Sequence, residues 1–343
     1  MTMRNTRSQP EVLTRWLLVL FLVGVCSRGY GYYNQQLLHG PQMWLDVMRG
    51  TASAPEQYRV GVVDAAYWVV QHTGWRGGVL QLSQVFGIFD LMGSIVAALL
   101  LYRLLELSEI YRRSGTTMRW FASAAFVALT IYAVDWTNWY QKVGTLPTAG
   151  IVAMMVWLWS AHGETTAIQK ALRAVGILLL VGLQSMVRAD IALMLCLGVL
   201  LVSVLRVGGR LALPRGAAIA TSLCGVLVAG GVQLYLMKVR YPQATYDGVP
   251  AFMLRYDFLR PTEWAATLIY LAPLLWTTAV AVRRRTMGEG MGATLLVSGL
   301  GYALLWICLG RLDEVRIFLP MALATAPLTV EMAMLQVGER SAA

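Results

Sequence analysis

Charge is what this chain has least of. Only 13% of its 343 residues are Asp, Glu, Lys or Arg, while 57% are hydrophobic. A soluble domain of ordinary usage is about a quarter charged, so too few charges are present to cover a water-facing surface. Lysine is almost missing: Lys142, Lys170 and Lys238 are the only ones among 28 basic residues. Histidine is scarce and scattered, at His39, His72 and His162, and makes no metal-ligand spacing. Cys26, Cys196, Cys224 and Cys308 each fall in an apolar run, with no C-x-x-C pair and no loop partner. Such cysteines read as small buried residues rather than as disulfides or metal ligands. No internal repeat, low-complexity tract or soluble domain interrupts the chain.

The net charge is +10. Nucleic-acid binding needs a clustered, solvated basic patch, and no such cluster exists, so nucleic acid is excluded as a partner. Arginines in short loops between apolar runs serve topology and anionic lipid instead.

Long apolar runs are what is there. After Arg4, Arg7 and Arg15 the stretch "WLLVLFLVGVC" opens the first one. It resembles a signal peptide, but no A-x-A site follows, and Val25 before Cys26 spoils a lipoprotein box; an uncleaved first helix is expected. Further apolar stretches lie near 84–102, 120–135, 147–161, 174–187, 191–205, 217–237, 264–282, 291–309 and 317–334. The expectation is an all-α polytopic bundle of about ten spans forming a single membrane domain over 1–343. Several stretches are shorter than the roughly 20 residues of an untilted span. The pair at 174–205 reads either as two full spans or as a short hairpin that turns within the membrane.

With the N-terminus in the cytoplasm, the inward loops are 103–119, 162–173, 206–216 and 283–290. They hold Arg103, Arg112, Arg113, Arg119, Lys170, Arg173, Arg206, Arg210, Arg215 and the run Arg283-Arg284-Arg285. Short loops are where the positive-inside rule has most force. Ten spans return the C-terminus to the cytoplasm of a bacterial inner membrane. Segments 34–76 and 238–263 then face outward. The stretch near 60–76 is apolar but carries Asp64 and two tryptophans, and a crossing there would reverse every later loop. It reads as an interfacial or re-entrant helix.

Charges persist at the outer ends of apolar runs, where they are costly and usually face a bundle interior or a wet cavity. In "GRLDEVRIFLP", helical spacing pairs Arg311 with Glu314 and Asp313 with Arg316, each at i, i+3. The segment fits a charge-paired interfacial turn. It equally fits acids that hold Arg311 and Arg316 for an anionic ligand, since the planar guanidinium bonds phosphate in two places at once. "SMVRADIAL" places Arg188 and Asp190 between two apolar runs. At i, i+2 they do not share a helix face, so the expectation is that they address different partners. The first outward segment supplies Asp46, Arg49, Glu56, Arg59 and Asp64; a carboxylate there can serve as a general base. Asp90 and Glu331, inside apolar runs, are candidates by position.

Four segments together carry a resemblance: "EQYRVGVVDAAYWV", "VFGIFDLMGSIVAALLLYRLLE", "VRADIAL" and "GRLDEVRIFLPMAL". They resemble a broad group of bacterial polytopic membrane proteins of unassigned activity, itself similar to the membrane part of GT-C-type glycosyltransferases. That resemblance implies a polyprenyl-phosphate-linked sugar as donor and an acidic catalytic residue in the first outer loop. Asp46, Glu56 and Asp64 stand there, without an Asp-x-Asp pair; the Asp-Glu pair at Asp313-Glu314 lies at the other end of the chain. The leading expectation is a cell-envelope glycan enzyme. Asp46 is its base, Arg59, Arg188, Arg311 and Arg316 hold phosphate, and Asp190, Asp313 and Glu314 support them. No metal ligand set is expected and no cofactor follows from the sequence. The alternatives are a transporter or flippase of an anionic lipid or solute, and a non-catalytic membrane subunit of an envelope-synthesis complex.

Overall fold

The structure is a computed structural model. It describes residues 42–54, 56–73, 79–137, 143–160, 166–207, 211–245, 261–284, 291–309 and 318–342, with Met253, Leu259 and most of 15–24 besides. Among the described residues the regular structure is all helical, with no strand. A short helix α1 (Gln42–Arg49) and a single 3-10 turn (Glu56–Tyr58) precede α2 (Gly61–His72). The long elements follow: α3 (Val79–Leu105), α5 (Thr116–Thr137), α6 (Thr145–Ser160), α7 (Ala167–Leu205), α8 (Arg215–Tyr235), α9 (Pro261–Arg283), α10 (Gly292–Leu309) and α11 (Leu319–Ala342). The five-residue α4 (Glu109–Arg113) links α3 to α5, and a π-helical turn at Leu236–Arg240 extends α8.

The described residues of the apolar stretches fall in helices. Among the described residues, four helices are long and apolar enough to cross a membrane: Gln81–Leu105, Ala167–Leu205, Arg215–Arg240 and Gly292–Leu309. Thr145–Ser160 and Leu271–Arg283 are apolar but shorter. Many large apolar side chains stand on the outside of the bundle, among them Met92, Leu129, Leu179, Leu227 and Leu304, each more than half exposed. A soluble monomer rarely exposes contiguous apolar surface on this scale, and such a surface suits lipid.

The stretch 174–205 lies in α7. This helix has 39 residues, with one non-helical residue, Arg188 (φ −152°, ψ 86°), inside it. A Cβ at Gly225 of α8 would meet both Cys196 Sγ at 2.6 Å and a Val181 methyl at 3.7 Å. Fifteen residues of straight helix would hold Val181 and Cys196 about 22 Å apart. The chain therefore folds back at Arg188, and α7 is a helical hairpin with two antiparallel arms. The first arm starts in a capping box: the Thr166 side chain accepts from Gln169 N, and Gln169 Oε1 accepts from Thr166 N.

Contacts along the arms give the bundle two ends. At one end Arg215 Nε donates to Ser203 O at 2.7 Å, Ala212 N donates to Trp159 O at 2.9 Å, and Tyr102 stacks on Trp120. Arg103, Arg119, Arg206 and Arg215 lie here; this is the basic end. At the other, the hairpin end, Gln184 Nε2 donates to Thr148 Oγ1 and Gln233 Nε2 donates to Ser185 O. Helix α6 and the second arm of α7 run from the hairpin end to the basic end, and the first arm of α7, α8 and α10 run the other way. Small residues let the helices close in. Gly93 of α3 and Gly150 of α6 face each other, with Gly93 against the Leu146 backbone. The largest apolar cluster joins α6 to α11 around Trp159, Ile191, Leu195 and Tyr302. A second cluster caps the hairpin end, formed by α1, α2, Val187 and the segment around Leu236–Ala244.

The stretch near 60–76 is helical from Gly61 to His72. At about 1.5 Å per residue, 12 residues reach about 18 Å, too short to cross. It buries Val62, Val63 and Ala66 against the cap and leaves Tyr67 and Trp68 outward, with Trp68 stacked on His72 at 4.5 Å. An interfacial helix has this form.

Candidate functional site

The hairpin turn at Arg188 breaks the helical hydrogen-bond ladder, which frees backbone carbonyls at the end of the first arm. Inside an apolar bundle such groups must find partners. Two glutamines supply them: Gln184 Nε2 donates to Arg188 O at 3.2 Å, and Gln233 Nε2 to Ser185 O at 2.7 Å. The residues Gly61 and Gly144 close on the same turn. A Cβ at Gly61 would lie 3.0 Å from Met186 Cβ and Val187 Cγ2, and one at Gly144 2.9 Å from Val187 Cγ1. Glycine at these two places lets the cap sit down on the turn.

Because residue 188 is extended, the i, i+2 pair that a helix would separate is brought together. Arg188 Nε donates to Asp190 Oδ1 at 3.2 Å and Nη2 to Oδ2 at 2.5 Å, a two-point ion pair. The expectation that these residues address different partners fails for this reason. Asp190 sits in the first turn of the second arm, where a helix N-terminus favours a carboxylate. Oδ2 also accepts from Tyr302 Oη and from Trp306 Nε1, each at 3.0 Å. Arg188 Nη2 in turn donates to Tyr302 Oη at 2.6 Å, and its guanidinium lies 5.5 Å over the Trp306 ring. Tyr302 and Trp306 share one face of α10 at i, i+4. The ion pair is well enclosed, with the side chains of Arg188 and Asp190 10% and 20% exposed.

Arg59 completes the cluster. It is half-buried at the entry to α2 and acts electrostatically on both Asp190 and Tyr302. Of the four arginines expected to hold phosphate, Arg188 pairs with Asp190 at the hairpin end and Arg59 lies within electrostatic reach of the same carboxylate. The other two, Arg311 and Arg316, lie outside the described residues, as do Asp313 and Glu314. The residues on either side of them reach the cluster: Trp306 donates to Asp190, and Phe318 meets Tyr302 edge-on at 6.2 Å.

Asp46 and Arg49 do lie on one short helix, α1, in the cap. Thr51 Oγ1 donates to Asp46 Oδ1 at 3.4 Å. Asp64 forms an ion pair with Arg240 at 2.7 Å, and Arg240 also lies 5.0 Å over the Tyr241 ring. Burial, and then the Asp64 charge, push the Tyr241 hydroxyl upward in pKa. Asp90 is buried in α3. Glu331 of α11 lies near Tyr111, whose hydroxyl donates to Pro327 O at 3.1 Å. Among the described residues no three His, Cys, Asp or Glu side chains gather at one point.

Sequence reasoning missed Tyr302, Trp306, Gln184 and Gln233. A signal existed for each. Tyr302 and Trp306 are hydrogen-bonding aromatics four residues apart, just ahead of the charged segment. The glutamines are isolated amides in long apolar runs. Among the described residues, the cluster sets the Arg188 guanidinium, with Arg59 in electrostatic reach, against the Asp190 carboxylate, with the Tyr302 hydroxyl and Trp306 N–H donating to it. Comparisons with protein families, curated proteins and solved structures find no significant match to this chain.

Proposed function

We propose that the chain is a ten-span enzyme of the bacterial cytoplasmic membrane, with both termini in the cytoplasm. It binds a polyprenyl-phosphate-linked sugar at the outer face and transfers the sugar to a cell-envelope acceptor. The observation that carries this reading is the placement of Arg188, with Arg59 in electrostatic reach, at Asp190 and Tyr302, at the end of the bundle opposite the basic loops. Positive loops stay in the cytoplasm, so the hairpin end is the outer one. The donor's phosphate is held by Arg59 and Arg188. Arg311 and Arg316, supported by Asp313 and Glu314, are further phosphate ligands on this reading, and Asp46 in the cap is the base that activates the acceptor.

The orientation has its own test. In a chain without its four native cysteines, Thr51→Cys should label with a membrane-impermeant maleimide in intact cells, and Ser114→Cys only after lysis. Labelling of Ser114→Cys in intact cells would invert the topology and remove the outer-face site.

The ligand is tested by lipid extraction and mass spectrometry of the purified protein, followed by transfer assays. A polyprenyl phosphate species should copurify. Arg59→Lys keeps the charge and loses the fork, so retained donor should fall by about 10–100-fold, the weight of a charge-assisted hydrogen bond. Thermal stability should stay near wild type, because Arg59 is only half-buried. Donor retention unchanged in Arg59→Lys, or no polyprenyl lipid at all, would defeat the proposal.

A further inference from the structure

The turn between α4 and α5 lies at the basic end, away from the hairpin cluster. Its sequence "RRSGTTMR", residues 112–119, carries three arginines and no acid. Ser114 closes α4 in right-handed helical geometry (φ −75°, ψ −4°), and Gly115 follows with φ +83°. A right-handed residue followed by a left-handed one turns successive N–H groups to one side, a concavity suited to an anion. A Cβ on Gly115 would meet nothing within 4 Å, so the turn is open there. Helix α5 begins at Thr116, and its first paired N–H is that of Arg119, which donates to Gly115 O at 3.3 Å. The N–H groups of Thr116, Thr117 and Met118 come before it and have no place in the helical ladder.

Arg119 sets this helix start apart. Its side chain runs back along α5, as helical side chains do, and Nη2 donates to Thr116 Oγ1 at 3.2 Å. A cation therefore stands at a helix N-terminus, where the macrodipole favours an anion. Arg119 is 9% exposed and its Nε–H is buried without an acceptor. Among the described residues no acidic side chain pairs with it. Its guanidinium lies 5.4 Å over the Tyr102 ring. A ring face offsets only part of the cost of enclosing an ion without a counter-charge. Helix start and guanidinium both call for a compact anion with several acceptor oxygens.

We propose that this helix start binds a phosphate group. Its oxygens accept from the open N–H groups of the first turn, from the Thr116 and Thr117 hydroxyls and from the Nη edge of Arg119. Phosphate matches so many donors because each of its oxygens accepts charge-assisted bonds. Two sources share this chemistry: the headgroup of an anionic phospholipid in the adjoining leaflet, and a soluble phosphate.

Two probes on the full chain in detergent test this. Phosphatidylglycerol is followed by native mass spectrometry and inorganic phosphate by titration calorimetry. At least one should show a single saturable site. Arg119→Met should weaken that binding by about 10–100-fold, the weight of a charge-assisted hydrogen bond. Without ligand it should melt at or above the wild-type temperature, because it removes an enclosed charge that has no partner. Thr116→Val, at a half-buried position, should weaken binding by about tenfold and leave the fold intact. It decides the matter should Arg119→Met not fold. Whichever probe these two variants weaken identifies the source. Arg206→Gln removes an exposed arginine of the same end and should change nothing. The proposal is overturned by three results: no saturable site for either probe, binding unchanged in the variants at Arg119 and Thr116, or equal weakening by Arg206→Gln.

Discussion

Replacing Asp190 by leucine is expected to destabilise the protein by about 3–5 kcal/mol, the cost of stripping one partner from a buried ion pair. The change takes from Arg188 both of its carboxylate bonds and leaves the Tyr302 hydroxyl and Trp306 indole without their common acceptor. Thermal unfolding of the purified protein measures it. Asp190→Asn keeps the shape and one acceptor oxygen, so its loss should be smaller. The double variant Arg188→Met with Asp190→Leu should recover part of the deficit, because it leaves no half of the ion pair buried alone, although the Tyr302 and Trp306 donors still lack their acceptor. Stability and function then separate: a recovered double variant that still fails to retain donor lipid would tie Arg188 to the ligand. An Asp190→Leu protein that melts with the wild type would mean that the pair is not buried as described.

Gly93→Val should be comparably damaging, for a reason that involves no charge. A Cβ at Gly93 would lie 2.4 Å from Leu146 O and 2.7 Å from its carbonyl carbon, and Gly150 approaches from the same side. Both contacts are backbone, which cannot rotate away. Helices α3 and α6 must separate, at or above the upper end of the about 1–3 kcal/mol typical of overpacking. Gly225→Ala is the control. Its Cβ meets Cys196 Sγ at 2.6 Å, a side chain that can turn, so the cost is lower and Cys196→Ala should relieve it. No single side-chain change should rescue Gly93→Val. A Gly93→Val protein as stable as the wild type would rule out the close packing of α3 on α6.

The order and type of the helices were legible because a lipid-exposed helix needs an unbroken apolar run, a property of the one-dimensional chain. The short helix after residue 60 was equally legible as a separate element, since Asp64 and the loop charges argued against a crossing. The same reasoning located Arg188 and Asp190 at a turn, yet assigned them different partners. It assumed helical geometry at Arg188, and nothing in "SMVRADIAL", which has neither Gly nor Pro, announces an extended residue there. That residue is held by remote groups, with Gln184 and Gln233 on the loosened carbonyls and Gly61 and Gly144 against Val187.

The sequence by itself determined that this is an all-helical chain with little charge, and that its arginines gather at the ends of apolar runs. Hydropathy and loop charge act locally, so each segment carries its own instruction. Only the tertiary structure decided which charges meet. Arg59, Arg188, Asp190, Tyr302 and Trp306 come from three separate parts of the chain, and Arg15 reaches Trp120 across more than a hundred residues. Their pairing depends on how antiparallel helices align end to end. That alignment follows from close contacts such as Gly93 on Leu146 and Gly225 on Cys196, which are written in the packing of two surfaces and in neither segment alone.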